Sequence, residues 1–292
     1  MAAPKSTATS PRGIYQISAE DYHADREGPT LSASIASLLC ERSPRHAWTA
    51  HPRLNPDYER RVEEKFDVGT AAHAMFLEGA DAVEVIDAKD WRTADAQQRR
   101  DAARANGKIP LLVHTLESVQ ELVYAISDQL DLNSHRADPP MFQDGKPEQT
   151  LIWHEPDGVM CRARLDWLRD DFRTVDDLKT TRAAAHPDAW TRTMFWIGAD
   201  IQAAFYIRGV ERLTGETPEF RWAVIETSPP YALSVISPGP DVLAVGRDKV
   251  EWALHRWREC LKRNDWPGYP LDVCYASLPA WQEARWLEKD VT

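Results

Sequence analysis

Between Thr150 and Leu178 the chain reads as three strand-forming stretches joined by two short turns, a pattern that constrains this part of the fold to an antiparallel meander. Thr150-Leu151-Ile152-Trp153-His154 is rich in β-formers, Pro156-Asp157-Gly158 is a strong turn signal, and Val159 to Leu168 resumes as a strand. Arg169-Asp170-Asp171 supplies a second polar turn before a third strand from Phe172 to Leu178. Side chains alternate along a strand, so Asp177 and Lys179 share one face while Asp176 and Leu178 point to the other. Arg162, Arg164 and Asp166 share a face by the same count. If the second and third strands pair, Asp166 and Asp177 converge with Lys179 beside them. Two such carboxylates suit a hard cation, Mg²⁺ or Mn²⁺, and an adjacent ammonium can orient a water for attack on phosphorus. Taken alone, the Asp-Leu-Lys triplet reads more simply as a charged strand end.

Two further segments bear on that choice. Gly69-Thr70-Ala71-Ala72-His73 opens a helix with small residues that permit close backbone approach, and it carries one histidine able to act as an imidazole ligand. A lone helical histidine is also an ordinary core or surface residue. Glu78, five positions on, lies about 140° round the helix from His73, so it is a candidate for a second metal or an outer contact only. Gln202 and Tyr206 sit one turn apart in an apolar helical stretch from about Trp196 to Leu213, offering an amide and a phenol to a common partner. The plainer alternative is an amphipathic core helix with two polar edge residues.

Taken in order, Gly69 to His73, Asp166, Asp177-Leu178-Lys179 and Gln202 to Tyr206 resemble the PD-(D/E)XK nuclease superfamily. The likeness is to the RecB-like branch, with motif order G-x-x-x-H, D, (D/E)-x-K, Q-x-x-x-Y. The amino-terminal runs Tyr22-His23-Ala24-Asp25, Leu31 to Leu39 and Ser43-Pro44-Arg45-His46 look like the opening of exodeoxyribonuclease VIII (RecE) and its phage relatives. The resemblance covers roughly residues 14–265. It implies an α/β fold with a restriction-endonuclease-like core, a central mixed β-sheet flanked by helices with helical embellishments. It implies processive 5′-to-3′ digestion of duplex DNA that leaves a 3′ single strand, alongside a RecT-like annealing protein. It also implies a site in which His73, Asp166, Asp177 and the main-chain carbonyl of Leu178 bind Mg²⁺ while Lys179 orients the water and Gln202 and Tyr206 position substrate. Relatives often form rings, so a homo-oligomer is expected.

The pair Ser32 and Ser34 at a helix start has its own physical interest, because hydroxyls and unpaired N–H groups there can hold a phosphate or simply cap the helix. With Arg42 and Arg45 they are candidates for a DNA 5′-phosphate, and Arg162 and Arg164 are candidates for further phosphate contacts. A PD-(D/E)XK endonuclease on the same core and a non-catalytic repair scaffold or annealing partner remain alternatives.

Composition is compatible with this reading without pointing to it. A chain of 292 residues, 43% hydrophobic, can bury a sizeable core. Its net charge of -11 argues against a generic nucleic-acid coat, leaving room for a narrow, locally basic track among Arg162, Arg164, Arg182, Arg192 and Arg208. Cys40 precedes the histidine motif but only Cys260 and Cys274 follow the Gln-Tyr helix, so no iron–sulfur cluster is expected. The first residues are small, polar and proline-bearing with no apolar signal region, which predicts a disordered tail over 1–13 and a cytoplasmic location in a bacterial host. The nuclease domain is expected over 14–265, with 266–292 an extension that packs on a neighbouring subunit. Residues 85–132 read as mostly helical, Phe220–Ile236 as a hairpin through Ser228-Pro229-Pro230, and Asp241–Lys262 as a long helix.

Overall fold

A computed structural model describes residues 12–25, 28–59, 68–132 and 134–291. Most of the tail expected over 1–13 lies outside the described residues. A short β1 (Gly13–Tyr15) and α1 (Ala19–Ala24) lead into α2 (Ala33–Glu41) and α3 (Pro44–Thr49). Ser32 and Ser43 cap these last two helices by accepting from the N–H groups of Ile35 and His46. The histidine segment forms α4 (Val68–Glu78). The stretch expected to be mostly helical is so, and it also holds a parallel strand pair that was not expected: β2 (Val83–Ile86), α5 (Ala94–Ala105), β3 (Ile109–Leu112), then α6 (Leu116–Leu132). Strands of four residues are too short for a period to separate them from helix.

The meander forms as β4 (Gly145–His154), β5 (Met160–Arg169) and β6 (Thr174–Thr181). Gly158 supplies the left-handed residue of the first turn, with φ 88°. Helices α7 (Pro187–Trp196) and α8 (Ala199–Thr214) then carry the chain over to β7 (Glu219–Glu226), which runs parallel to β6. The expected hairpin closes with β8 (Leu233–Ile236). The long helix is α9 (Pro240–Arg263), started by Pro240 and ended by Asn264 in the left-handed region. A final α10 (Ala280–Leu287) buries no residue.

The main sheet has the order β1-β4-β5-β6-β7-β8, all neighbours antiparallel except β6 and β7. It is sandwiched between two helical layers. Trp222 and Val224 of β7 face a core shared with Ile35 of α2, Phe205 of α8 and Trp257 of α9. Ala223 and Ile225 face the opposite core, built with Ala71 and Ala72 of α4 and Leu122 and Ile126 of α6. A strand buried on both sides needs an unbroken apolar run, and Phe220 to Ile225 is one apart from the paired Arg221. α8 is pressed against α9 because Gly246 has no side chain; a Cβ there would stand 2.6 Å from the Asp200 carbonyl oxygen. Among the described residues, no helix is long and apolar enough to cross a membrane.

Candidate active site

The site forms where β5 and β6 part. Their pairing covers Trp167 with Asp176 and Leu168 with Val175. Asp166 and Asp177, the next residues on each strand, stand at the resulting fork. Asp166 fills the gap: its Oδ2 accepts the Leu178 N–H at 2.9 Å, in place of a ladder bond. The same oxygen lies 2.9 Å from His73 Nε2, so α4 reaches the fork from one side of the sheet. From the other side, α8 brings Gln202, whose Nε2 donates to Asp177 Oδ1 at 3.0 Å. Lys179 Nζ lies 2.5 Å from Asp177 Oδ2. Adjacent Asp176 points away, as alternation requires, and accepts from Arg221 Nε at 2.7 Å and the Phe142 N–H at 2.8 Å.

Burial and neighbouring charge divide the two carboxylates. Burial raises the Asp166 pKa, but the charge and hydrogen bond of His73, with Lys179 and the Leu178 N–H, outweigh it and hold the group below its ordinary value. At Asp177 burial and the charge of Asp166 win over Lys179, and its pKa is pushed up to about 7. Burial works against the charged forms of His73 and Lys179, yet the aspartates hold both above their usual values. Tyr206, desolvated and close to Tyr22 and Asp177, is held well above 10, so it stays a protonated phenol.

Among the described residues, no three His, Cys, Asp or Glu side chains form a ready-made metal cage. The donors instead stand as two pairs, His73 with Asp166 and Asp177 with Lys179. Their chemistry still fits a hard divalent cation. Asp177 is fully buried, its Oδ2 has no hydrogen-bond donor beyond the ion-pair contact with Lys179, and its raised pKa marks a deficit of positive charge that a cation would fill.

The remaining candidates lie elsewhere. Glu78 ends α4 and is exposed, away from His73. Ser32 is buried as the cap of α2, with Ser34 Oγ 3.0 Å away on the exposed side. Arg42 and Arg45 stand at the far end of α2, about 13 Å along a nine-residue helix, so the structure does not gather the four as one phosphate site. The basic track does not form as a row. Arg162 is buried against Asp25 and the Tyr22 carbonyl, Arg164 pairs with Glu148 and the Ile17 carbonyl, and Arg208 pairs with Glu155 and Glu251. Arg182 and Arg192 are exposed.

Two residues enter the site that the sequence reading passed over. Glu148, on β4 opposite Asp166, is raised by burial against the pull of Arg164 and feels the charges of Asp166 and His73. Its backbone is left-handed, with φ 55°, a local distortion that strand patterning does not reveal. Tyr22 stacks on the Arg162 guanidinium at 4.8 Å and adjoins Tyr206; its only sequence signal was membership of the amino-terminal run.

Residues 40–276 match the family described as PDDEXK-like domain of unknown function (DUF3799). The chain belongs to this family. Its fold is also that of a solved structure of a candidate exonuclease from Eubacterium rectale, with a TM-score of 0.58 over 92% of this chain and 98% of that one at 14% identity. A second solved structure, SSO0001, overlaps only weakly, with a TM-score of 0.26 at 17% identity over 54% of this chain and 70% of that one. No curated protein matches the chain significantly. The PD-(D/E)XK assignment made from motif order is therefore shown, and with it the central sheet flanked by helices. Nucleases of this type generally use divalent metals.

Proposed function

We propose that the chain is a Mg²⁺- or Mn²⁺-dependent exodeoxyribonuclease that enters duplex DNA at an end and digests the 5′-ended strand. The product is a 3′ single strand for a RecT-like annealing protein. The observation that carries the nuclease reading is the meeting of His73–Asp166 with Lys179–Asp177–Gln202 at one fork in the sheet. Polarity, end dependence and the annealing partner rest on the resemblance of the motif order and the amino-terminal segment to RecE-like exonucleases.

His73, Asp166, Asp177 and the Leu178 carbonyl would hold the cation, which supplies Lewis acidity toward a phosphodiester oxygen. The Leu178 N–H and His73 fix the Asp166 carboxylate, and Gln202 fixes that of Asp177. The charges of Asp177 and Asp166 hold Lys179 above its usual value, so it offers a donor and a positive charge to orient the attacking water. Tyr206, protonated, offers a hydroxyl donor at the wall beside Gln202.

The test is digestion of linear duplex labelled at one 5′ or one 3′ end, beside a closed circle, in Mg²⁺. Early release of 5′ label as mononucleotide with the circle intact is expected. Cutting of the circle would replace the exonuclease reading with an endonuclease, and no cleavage in any divalent metal would leave a binding scaffold.

A further inference from the structure

Past Asn264 the chain crosses the body once more and then leaves it. Trp266 packs edge-on against Trp257 at 5.2 Å between ring centroids, and the Pro267 carbonyl accepts the Arg45 N–H at 3.1 Å. Tyr269 lies 5.3 Å from His46 and lines a cleft between α2 and α9. From Gly268 to Lys289 every side chain is exposed. Leu271, Val273, Tyr275, Trp281, Trp286 and Leu287 are among them, Leu271 at 102% and Tyr275 at 93%. Isolated apolar side chains in water need no explanation, but a contiguous series of this size marks a surface that another molecule covers.

Three observations favour a second copy of this chain as that molecule. The first is area: Tyr275, Trp281 and Trp286 bury roughly 150–250 Å² each, so with Leu271, Val273 and Leu287 beside them they approach the roughly 800 Å² per partner of a standard interface. The second is a receiving surface on the same chain. Val245 and Trp252 are exposed two turns apart on one face of α9, and Trp252 also lines the cleft with Leu39. The third is charge. Leu271–Leu287 carries two acids (Asp272, Glu283) and one base (Arg285), a net charge of -1, whereas the cleft beside Trp252 is lined by Arg42, His255 and Arg256. Reach is sufficient: residues 271–279 span up to about 30 Å when extended, enough to lie across a neighbouring body rather than graze its edge.

We infer that Leu271–Leu287 is an exchanged arm that packs on the Val245–Trp252 stripe of a second copy of this chain. The inference is independent of the chemistry at the fork and holds or fails separately from it.

Sedimentation velocity of the full chain, across a wide concentration range, tests it. The wild-type chain is expected to sediment as an oligomer. Trp281→Ser/Trp286→Ser/Leu287→Ser should reduce it to a monomer with an unchanged circular dichroism spectrum and melting curve, because those side chains are exposed on their own chain. Val245→Ser/Trp252→Ser, on the receiving stripe, should do the same. A wild-type chain that is monomeric throughout, or an oligomer that survives either set of substitutions, overturns the inference.

Discussion

At the residue scale, Asp166 does three things at once: it closes a gap in the sheet, holds His73 and faces Asp177. His73 stands against that carboxylate and would share the cation with it, so its removal should weaken metal binding while leaving the fork standing. His73→Ala is expected to raise the Mg²⁺ concentration for half-maximal cleavage by about 10–100-fold with little change at saturating metal. A metal titration of initial rates checks this; an unchanged titration curve removes His73 from the site. Much of this constellation was legible, because Asp177, Lys179 and Asp176 follow a strict alternation that needs no tertiary information. The fork was not, since it depends on where pairing stops and on a carboxylate accepting a main-chain N–H. Glu148 was hidden for a similar reason: a left-handed residue inside a strand leaves no mark in composition.

At the element scale, α8 is the piece that must be placed correctly, because it carries Gln202 to Asp177. Two of its contacts carry predictions. One is the close approach of α9 at Gly246, where Gly246→Ala would force a Cβ to within 2.6 Å of the Asp200 carbonyl oxygen. That substitution should cost about 1–3 kcal/mol in denaturant unfolding. It should also lower the cleavage rate, since the helix that moves is the one bearing Gln202. The other contact is Glu155, at the end of the β4–β5 hairpin, which accepts from Trp153, Arg208 and Arg212. Burial opposes its charge, but hydrogen bonds from Arg208 and Trp153 hold its pKa below the ordinary glutamate value. A depressed carboxylate contributes stability that is present above its unfolded pKa, about 4.3, and is lost as pH falls through the folded value. Glu155→Gln should therefore lower stability by about 2 kcal/mol at neutral pH. The difference from wild type should shrink below about pH 4, as thermal melts across pH would show. The long helices and the hairpins were readable from period and turn chemistry. The β2–β3 pair on either side of α5 was not, because its strands are shorter than the window a period needs.

At the scale of the whole molecule, net charge and the fate of the arginines agree. In a chain of charge -11, Arg162, Arg164 and Arg208 of the expected basic track are spent on acids, and of that row Arg182 and Arg192 stay exposed. On the proposed function, grip on the duplex would then come from the site more than from a basic surface. The central claim is that the β5–β6 fork is a metal-dependent hydrolytic centre whose working ammonium is Lys179. The most direct measurement compares wild type and Lys179→Met on linear 5′-phosphorylated duplex in Mg²⁺, following mononucleotide release by initial rate with DNA binding measured in parallel. A rate loss of roughly 10²–10³-fold with binding retained is expected. Cleavage by Lys179→Met at the wild-type rate would contradict it.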